Sequence, residues 1–465
     1  MNPSTQASRS AAFPRSFRKR YPLAVRGEGP WIYDEQGRKY LDLAGSAAVS
    51  FIGHGDPAIA KAIAAQLQRM EFAHSSQFSN DTAEEFAREL LEFAGPAFIG
   101  GAVYLTSGGS EAVETSLKMA RHYQVETGHF ERFEIVSRRQ SYHGATLGAM
   151  AVSGNPRRRA EYLPMLREFQ QINTPYCYRC HYDACSVGPR ATDDDVCSAC
   201  AAEYASELEH AIAESDGKAA AFICEPVSGA TLGAAVPPDG YLQQIRKICD
   251  AHGLLWIADE VMTGCGRTGR NFACEHWRVA PDIIVAGKGI SSGYAPLGAV
   301  IASRKIVEAI ANGSGMFTHG FTYNAHPVCA AAGRAVLQRV RELRLVGAAD
   351  HRVSGTTAAY FAKAVRSLRD CKTVGDVRGI GLLWGVEFVA DKESTAPFDA
   401  AVGFAGRVFD TAKDRGVLVY PMQGCAGGFA GDHLLLAPPA IATREEIEQG
   451  IAALRAAIEE VERRA

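Results

Sequence analysis

The stretch 283–300, IIVAGKGISSGYAPLGAV, decides how this chain is read. A short apolar, β-branched run ends on a lysine, Lys288, set between Gly287 and Gly289. A second such run, in LLWIADEVMTGCGRTG at 254–269, ends on Asp259, 29 residues earlier. Charges placed where strands end stand at the carboxyl edge of a parallel sheet, where α/β proteins keep their sites. The flanking glycines carry no β-carbon, so a ligand can approach the lysine closely. An amine and a carboxylate so placed suit an aldehyde cofactor with a pyridine ring. The desolvated amine forms a Schiff base and the carboxylate holds the pyridinium nitrogen. A surface lysine and a surface aspartate at solvated strand ends are the plainer alternative.

Outward from these runs the same texture repeats. AVYLTS (102–107), FEIVS (133–137), AAFICEP (220–226) and GAVIAS (298–303) alternate with helical periods between about Ala60 and Leu337. That alternation predicts an α/β fold with a mostly parallel, seven-stranded-type sheet covered by helices. Upstream, WIYDEQGRKYLDLAG (31–45) reads as a hairpin turning at Asp34 to Gly37. Asp56 can cap a helix that has Pro57 at its first position. After about Val340 the pattern changes to a long helix, a strand pair in VRGIGLLWGVEFV (377–389), another helix, and a final strand and helix. The predicted organisation is a flexible arm over 1–20, an N-terminal segment over 21–60 packing with the small domain, a large domain over 61–337, and a small α+β domain over 338–465.

Composition narrows the function classes. The 465 residues suffice for a large core, and the net charge of −3 gives no basic footprint for nucleic acid. Arg15, Arg18, Lys19 and Arg20 form one short basic stretch, read as solvated. No apolar run reaches membrane-spanning length, and the N-terminus has no apolar core of a secretory signal. Twelve cysteines without such a signal fit a reducing cytoplasm. One segment, about 172–204, interrupts the alternation and holds Cys177, Cys180, Cys185, Cys197 and Cys200, with His181 alongside. Its two CxxC pairs, 16 residues apart, match the spacing of a structural zinc site, while an insertion with reduced thiols is the other reading. No metal is assigned to the chemistry.

TSGGSEAVETSLKMARHY places Gly108, Gly109 and Ser110 directly before a helical period. A helix N-terminus offers unbonded N–H groups and a partial positive charge, which suit a phosphate. Ser110, Glu111 and Glu114 also suit an ordinary helix start.

Seven motifs in one order carry a resemblance: LTSGGSEAVETSLKMAR, SYHGATLGAM, DEVMTGCGRTG, PDIIVAGKGISSGYAPLGA, HGFTYNAHPVCAAA, VRGIGLLWGVEF and LLLAPPAIAT. From about Pro30 to the C-terminus the chain resembles the class III aminotransferases, which use pyridoxal 5'-phosphate (PLP) on fold type I. The resemblance implies that Lys288 forms the Schiff base and then moves the proton. It implies that Asp259 holds the ring nitrogen, and that Tyr142 lies over the ring with His143 beside it. Val261, expected by alternation on the same side of the strand as Asp259, packs the other ring face. Gly109 and Ser110 cup the phosphate, and Glu225 stands near the pocket. Thr322, after Phe321, reaches the phosphate of the partner subunit, which implies a homodimer.

The chain departs from the family where many members bind a second carboxylate. The arginine before the APP turn and its gating glutamate are here Leu435 and Ala230. Losing both is coherent, because one buried charge left alone is costly. The mobile arginine of amine:pyruvate-like members falls on Tyr420, before a loop read as long and glycine-rich over Gln423–Gly431. Arg267 and Arg378 remain as candidate carboxylate binders, and Trp31, Phe51 and Tyr420 as an apolar pocket wall. The expected activity is ping-pong transfer from an ω-amine or other primary amine to a keto acid, with pyruvate expected. The alternatives are an aminomutase, a decarboxylase, or a non-catalytic protein on the same fold.

Overall fold

The computed structural model describes residues 11–180, 182, 198 and 200–464. Strands β1 (Ala24–Glu28), β2 (Trp31–Asp34) and β3 (Lys39–Asp42) form an antiparallel meander. Asp34 closes the expected hairpin turn. Its carboxylate accepts from the N–H groups of Gln36 (2.9 Å) and Arg38 (3.0 Å) and from the Tyr40 hydroxyl (2.8 Å). Asp56 caps the helix Pro57–Arg69 by accepting from the Ala58 N–H at 2.9 Å.

Seven strands follow: β4 (Ala102–Thr106), β5 (Glu134–Arg138), β6 (Gln171–Ile172), β7 (Ala219–Cys224), β8 (Leu255–Asp259), β9 (Ile283–Ala286) and β10 (Gly298–Ala302). They make one sheet in the order β4-β10-β9-β8-β7-β5-β6. All neighbours from β9 to β6 are parallel, and β10 runs antiparallel to both β9 and β4. The expected mostly parallel sheet is present. Its central strands are covered on both faces, which is why AAAFIC, LWIAD and IIVA read as continuous apolar runs rather than alternating ones. On one face Ile257 and Val285 pack with Ala112, Val113 and Met119 of the helix Gly109–Glu126. On the other, Phe222 and Trp256 pack with Leu208 of the helix Ala201–Glu214 and Ile245 of the helix Tyr241–His252. The apolar sheet therefore fixes where its polar strand ends emerge.

Beyond the sheet come β11 (Val374–Ile380), β12 (Leu383–Phe388), β13 (Val417–Leu418), β14 (Tyr420–Ala426) and β15 (Ala430–Leu436). Four of them form an antiparallel sheet, β11-β12-β15-β14, while β13 pairs in parallel with β3 and joins the two ends of the chain. The expected single final strand and long loop are corrected to a hairpin. Gly424, Gly427, Gly428 and Gly431 all have positive φ, and the register shifts between Gln423 and Ala426. Glycine here bends and bulges a strand pair rather than opening a loop.

A buried ionic cluster ties the stem of the Cys-rich segment to this second sheet. Glu387 of β12 is wholly enclosed and meets Arg179 Nε at 2.7 Å, Arg378 Nη1 at 2.9 Å and the Tyr176 hydroxyl. Burial pushes its pKa up, but Arg378 and Arg179 outweigh burial and hold it below the usual carboxylate range. Cys177 and Cys200 lie in the core beside Tyr204, whose hydroxyl donates to Cys180 Sγ at 3.5 Å. His181, Cys185 and Cys197, on which the zinc spacing depends, lie outside the described residues. Among the described residues no group of three His, Cys, Asp or Glu could hold a metal, and no helix is long and apolar enough to cross a membrane.

Candidate active site

Lys288 begins a one-turn 3-10 segment directly after β9. Its φ is +45°, a left-handed conformation uncommon for a residue with a β-carbon and costing roughly 1–3 kcal/mol. The turn is held by the Ser292 N–H, which donates to the Lys288 carbonyl at 2.9 Å, and by the Ile290 N–H on the Gly287 carbonyl at 3.1 Å. The flanking glycines have a packing reason as well. A β-carbon at 289 would stand 3.0 Å from Cys265 Cβ, and one at 287 would stand 3.3 Å from Val261 Cγ1. Burial pushes the Lys288 ammonium down to about 8. Asp259 and Glu225 oppose that shift, whereas Arg158 and Arg267 add to it.

Asp259 closes β8, the strand beside β9. Its Oδ2 lies 2.7 Å from His143 Nδ1, and its Oδ1 accepts from the Val261 N–H at 3.1 Å. The carboxylate is 5% exposed and the imidazole is fully covered, so the pair is fixed and dry. With Nδ1 donating to the carboxylate, the His143 tautomer is set. The His143 backbone N–H donates to Ser153 Oγ at 2.8 Å, which anchors the loop after β5. Val261 lies beyond the strand, in the turn. Its placement beside Asp259 comes from that N–H contact and not from strand alternation.

Glu225 follows β7. Its carboxylate accepts from the Gly229 N–H (3.0 Å) and the Tyr142 N–H (3.4 Å). Burial raises its pKa; Asp259 adds to the rise, and His143 and Arg138 oppose it. At the helix Gly109–Glu126, Gly108 is the N-cap and no side chain caps the end. Glu111 accepts from the Ser107 N–H at 2.9 Å, and the first N–H groups of a helix have no partner within it. Ser110 Oγ accepts from the Ala145 N–H at 3.0 Å and ties the Tyr142 loop to the helix start. A β-carbon at Gly109 would stand 3.0 Å from Val261 Cγ1. Gly109, Val261, Gly287 and Lys288 therefore converge where β8, β9 and the helix start meet.

Phe321 and Thr322 stand apart from this group within one subunit. The Phe321 N–H donates to the Tyr104 hydroxyl at 3.2 Å, and Thr322 is exposed. Of the two expected carboxylate binders, Arg378 is committed to Asp376, Glu387 and the Leu232 carbonyl. Arg267 is 1% exposed, donates to the Pro438 carbonyl at 2.6 Å and sits over Phe51. Both are enclosed, and Arg267 keeps only its buried Nη2 without a partner. Phe51 is itself buried, so it is a packing residue and not pocket wall, while Trp31 is half-buried with its indole N–H donating to Glu446 at 2.6 Å. Tyr420 stays half-buried at the start of β14. The sequence reading missed Arg158, whose guanidinium lies 4.4 Å from the centre of the Tyr142 ring. In the run PRRR it reads as one of several solvated charges, and only the fold brings it to Tyr142.

A family model for class-III aminotransferases matches residues 14–458. The chain belongs to the class-III aminotransferases. It is 35% identical to the uncharacterized aminotransferase YodT of Bacillus subtilis, over 95% of this chain and 96% of YodT. An amine transaminase from an uncultivated Pseudomonas species, solved in its PLP-bound form, shares 35% identity with a TM-score of 0.86, covering 99% of each chain. A thermostable (S)-enantioselective omega-transaminase from Thermomicrobium roseum shares 34% identity with a TM-score of 0.87, covering 97% of this chain and 96% of that one. Class-III aminotransferases are PLP-dependent, so the chemistry at issue is amino-group transfer between an amino donor and a keto acid.

Proposed function

We propose that this chain moves an amino group from an ω-amine or other primary amine to a keto acid, pyruvate foremost, with PLP held at Lys288. One observation carries the proposal: a desolvated lysine on a strained turn shares a strand edge with a buried His143–Asp259 pair, above an uncapped helix start.

The residues fit the cofactor. The glycine at 109 keeps the space between the helix start and Val261 free of a side chain. The N–H groups of Gly109 and Ser110, at a helix start that no side chain caps, suit a phosphate. Val261 and Tyr142 would take the two ring faces. When bound, PLP supplies an electron sink for the charge left as the substrate's amine-bearing carbon loses its proton.

The chain's own residues do the rest. Lys288 Nζ, with its pKa down to about 8, is partly neutral near neutral pH and serves first as nucleophile, then as base for that proton. Asp259 holds a fixed negative charge for the ring N–H. It cannot swing away, because His143 and the Val261 N–H occupy both its oxygens. Two substrates then use one site in turn, which gives ping-pong kinetics. Leu435 is buried and apolar, and the Ala230 carbonyl is engaged by His433 Nε2 at 2.7 Å. Neither position offers charge to a second carboxylate, which supports pyruvate over α-ketoglutarate. The exposed Thr322 supports a homodimer in which it completes the partner's phosphate site. Cysteine usage supports a cytoplasmic enzyme.

The test is a cofactor titration followed by substrates. Purified protein given PLP should acquire visible absorbance, lose it with a primary amine and regain it with pyruvate but not with α-ketoglutarate. Recovery with α-ketoglutarate alone would overturn the acceptor, and amine conversion without a keto acid, or with release of carbon dioxide, would favour the aminomutase or decarboxylase reading. Failure to bind PLP at all would leave the non-catalytic reading.

A further inference from the structure

We infer that Arg158 receives the carboxylate of the keto-acid acceptor, an assignment that rests on the transaminase reading above. Its backbone is fixed: Asn155, 1% exposed, caps the turn Pro156–Arg159 and accepts from the Arg158 N–H at 3.1 Å. From this turn the guanidinium reaches back over Tyr142, 4.4 Å from the ring centre. It lies close enough to Lys288 for its charge to lower the lysine pKa. A cation held against a ring face keeps its N–H edge for hydrogen bonds, and the planar fork of an arginine matches a carboxylate.

Four nearby arginines have backbone or side-chain partners of their own, and Arg159, the next residue in the turn, is not in contact with the Tyr142 ring. Arg138 donates to the Glu225 carbonyl and to Ser228, Arg157 donates to Gln423 at 2.7 Å, and Arg267 and Arg378 are enclosed as described. Arg158 differs from them. It is half-buried, and the side-chain atom its guanidinium meets is Met422 Sδ, at 3.7 Å, a weak acceptor. Among the described residues no carboxylate forms an ion pair with it.

The second sheet is shaped to hold Arg158 in place. Met422 lies in β14, the strand that carries Tyr420. A β-carbon at Gly428 would stand 2.3 Å from Pro156 Cγ, so the glycine-rich hairpin β14–β15 presses against the turn only because it lacks side chains there. The charge absent at Tyr420, Leu435 and Ala230 is thus supplied by a residue packed against the same strand, one that a carboxylate-free amine donor does not need. One site can then take both substrates.

Initial rates with one fixed amine donor test this, comparing pyruvate with propanal, an acceptor of three carbons without a carboxylate. Arg158→Gln should lower kcat/KM for pyruvate relative to propanal by roughly 10- to 100-fold, mostly through KM, as loss of a charge-assisted bidentate contact does. Arg158→Lys should recover part of that ratio. Met422→Glu, which places a carboxylate beside the guanidinium, should lower the same ratio and serves if Arg158→Gln does not fold. Equal losses on both acceptors, or an unchanged ratio, would overturn the assignment. Absence of turnover with either acceptor in the unaltered enzyme would instead sink the transaminase reading itself.

Discussion

Replacing Lys288 with methionine should stabilise the cofactor-free protein at neutral pH. The side chain keeps its length, and the left-handed backbone at 288 is unchanged by the swap. What disappears is a desolvated ammonium whose pKa falls from 10.5 to about 8 on folding. A base whose pKa falls on folding binds its proton more tightly in the unfolded chain. Its burial therefore costs stability at low pH, and that cost fades as pH rises from about 8 to about 10.5. At pH 7 the cost is about 3 kcal/mol. With an unfolding entropy of about 2 cal/mol/K per residue, that corresponds to about 3 °C in Tm for a chain of 465 residues. The assay is thermal unfolding of the two PLP-free proteins at matched concentration across pH 7 to 10.5. Subtracting one profile from the other removes the titrations that the two proteins share. The expected result is a higher Tm for Lys288→Met at pH 7, with the gap closing towards pH 10.5. A variant no more stable than its parent at pH 7, or a gap independent of pH, would refute the desolvation argument.

Other consequences are quicker to check. Asp259→Asn should cut turnover by roughly 10²- to 10⁴-fold while the protein still binds PLP, because the ring nitrogen loses its fixed charge; near-normal rates would remove Asp259 from the mechanism. Gly109→Ala puts a β-carbon 3.0 Å from Val261 Cγ1, and the resulting overpacking, about 1–3 kcal/mol, should appear as weaker PLP binding in a fluorescence titration. Unchanged affinity would show that the space at 109 is not part of the cofactor cradle. Glu387→Gln removes the buried carboxylate shared by Arg378 and Arg179, leaving Asp376 as the one carboxylate on Arg378, and should cost about 3–5 kcal/mol in urea unfolding. A cost below about 1 kcal/mol, the range of exposed pairs, would mean the cluster is open to water.

The large sheet was legible because its strands are buried on both faces, which forces uninterrupted apolar runs. Lys288 and Asp259 stood out for the same reason, as charges that end such runs. Conformation and pairing were less visible. Gly424, Gly427, Gly428 and Gly431 read as a loop, yet their positive φ values fold a bulged hairpin. Arg267 and Arg378 looked available, but burial and ion pairing are tertiary properties that no spacing shows. Val261 was placed by alternation, whereas the strand ends at Asp259 and a backbone contact places it. Arg158 was passed over because its surroundings come from three segments, around Tyr142, Asn155 and Met422, that meet only in the fold.

The central claim is that Lys288 is the amine that carries PLP. Borohydride reduction of the PLP-loaded protein, followed by peptide mass spectrometry, tests it most directly. The account predicts a stable pyridoxyl adduct on the peptide containing Lys288, and its loss in Lys288→Met. An adduct confined to another lysine, or none in protein that has bound PLP, would contradict it.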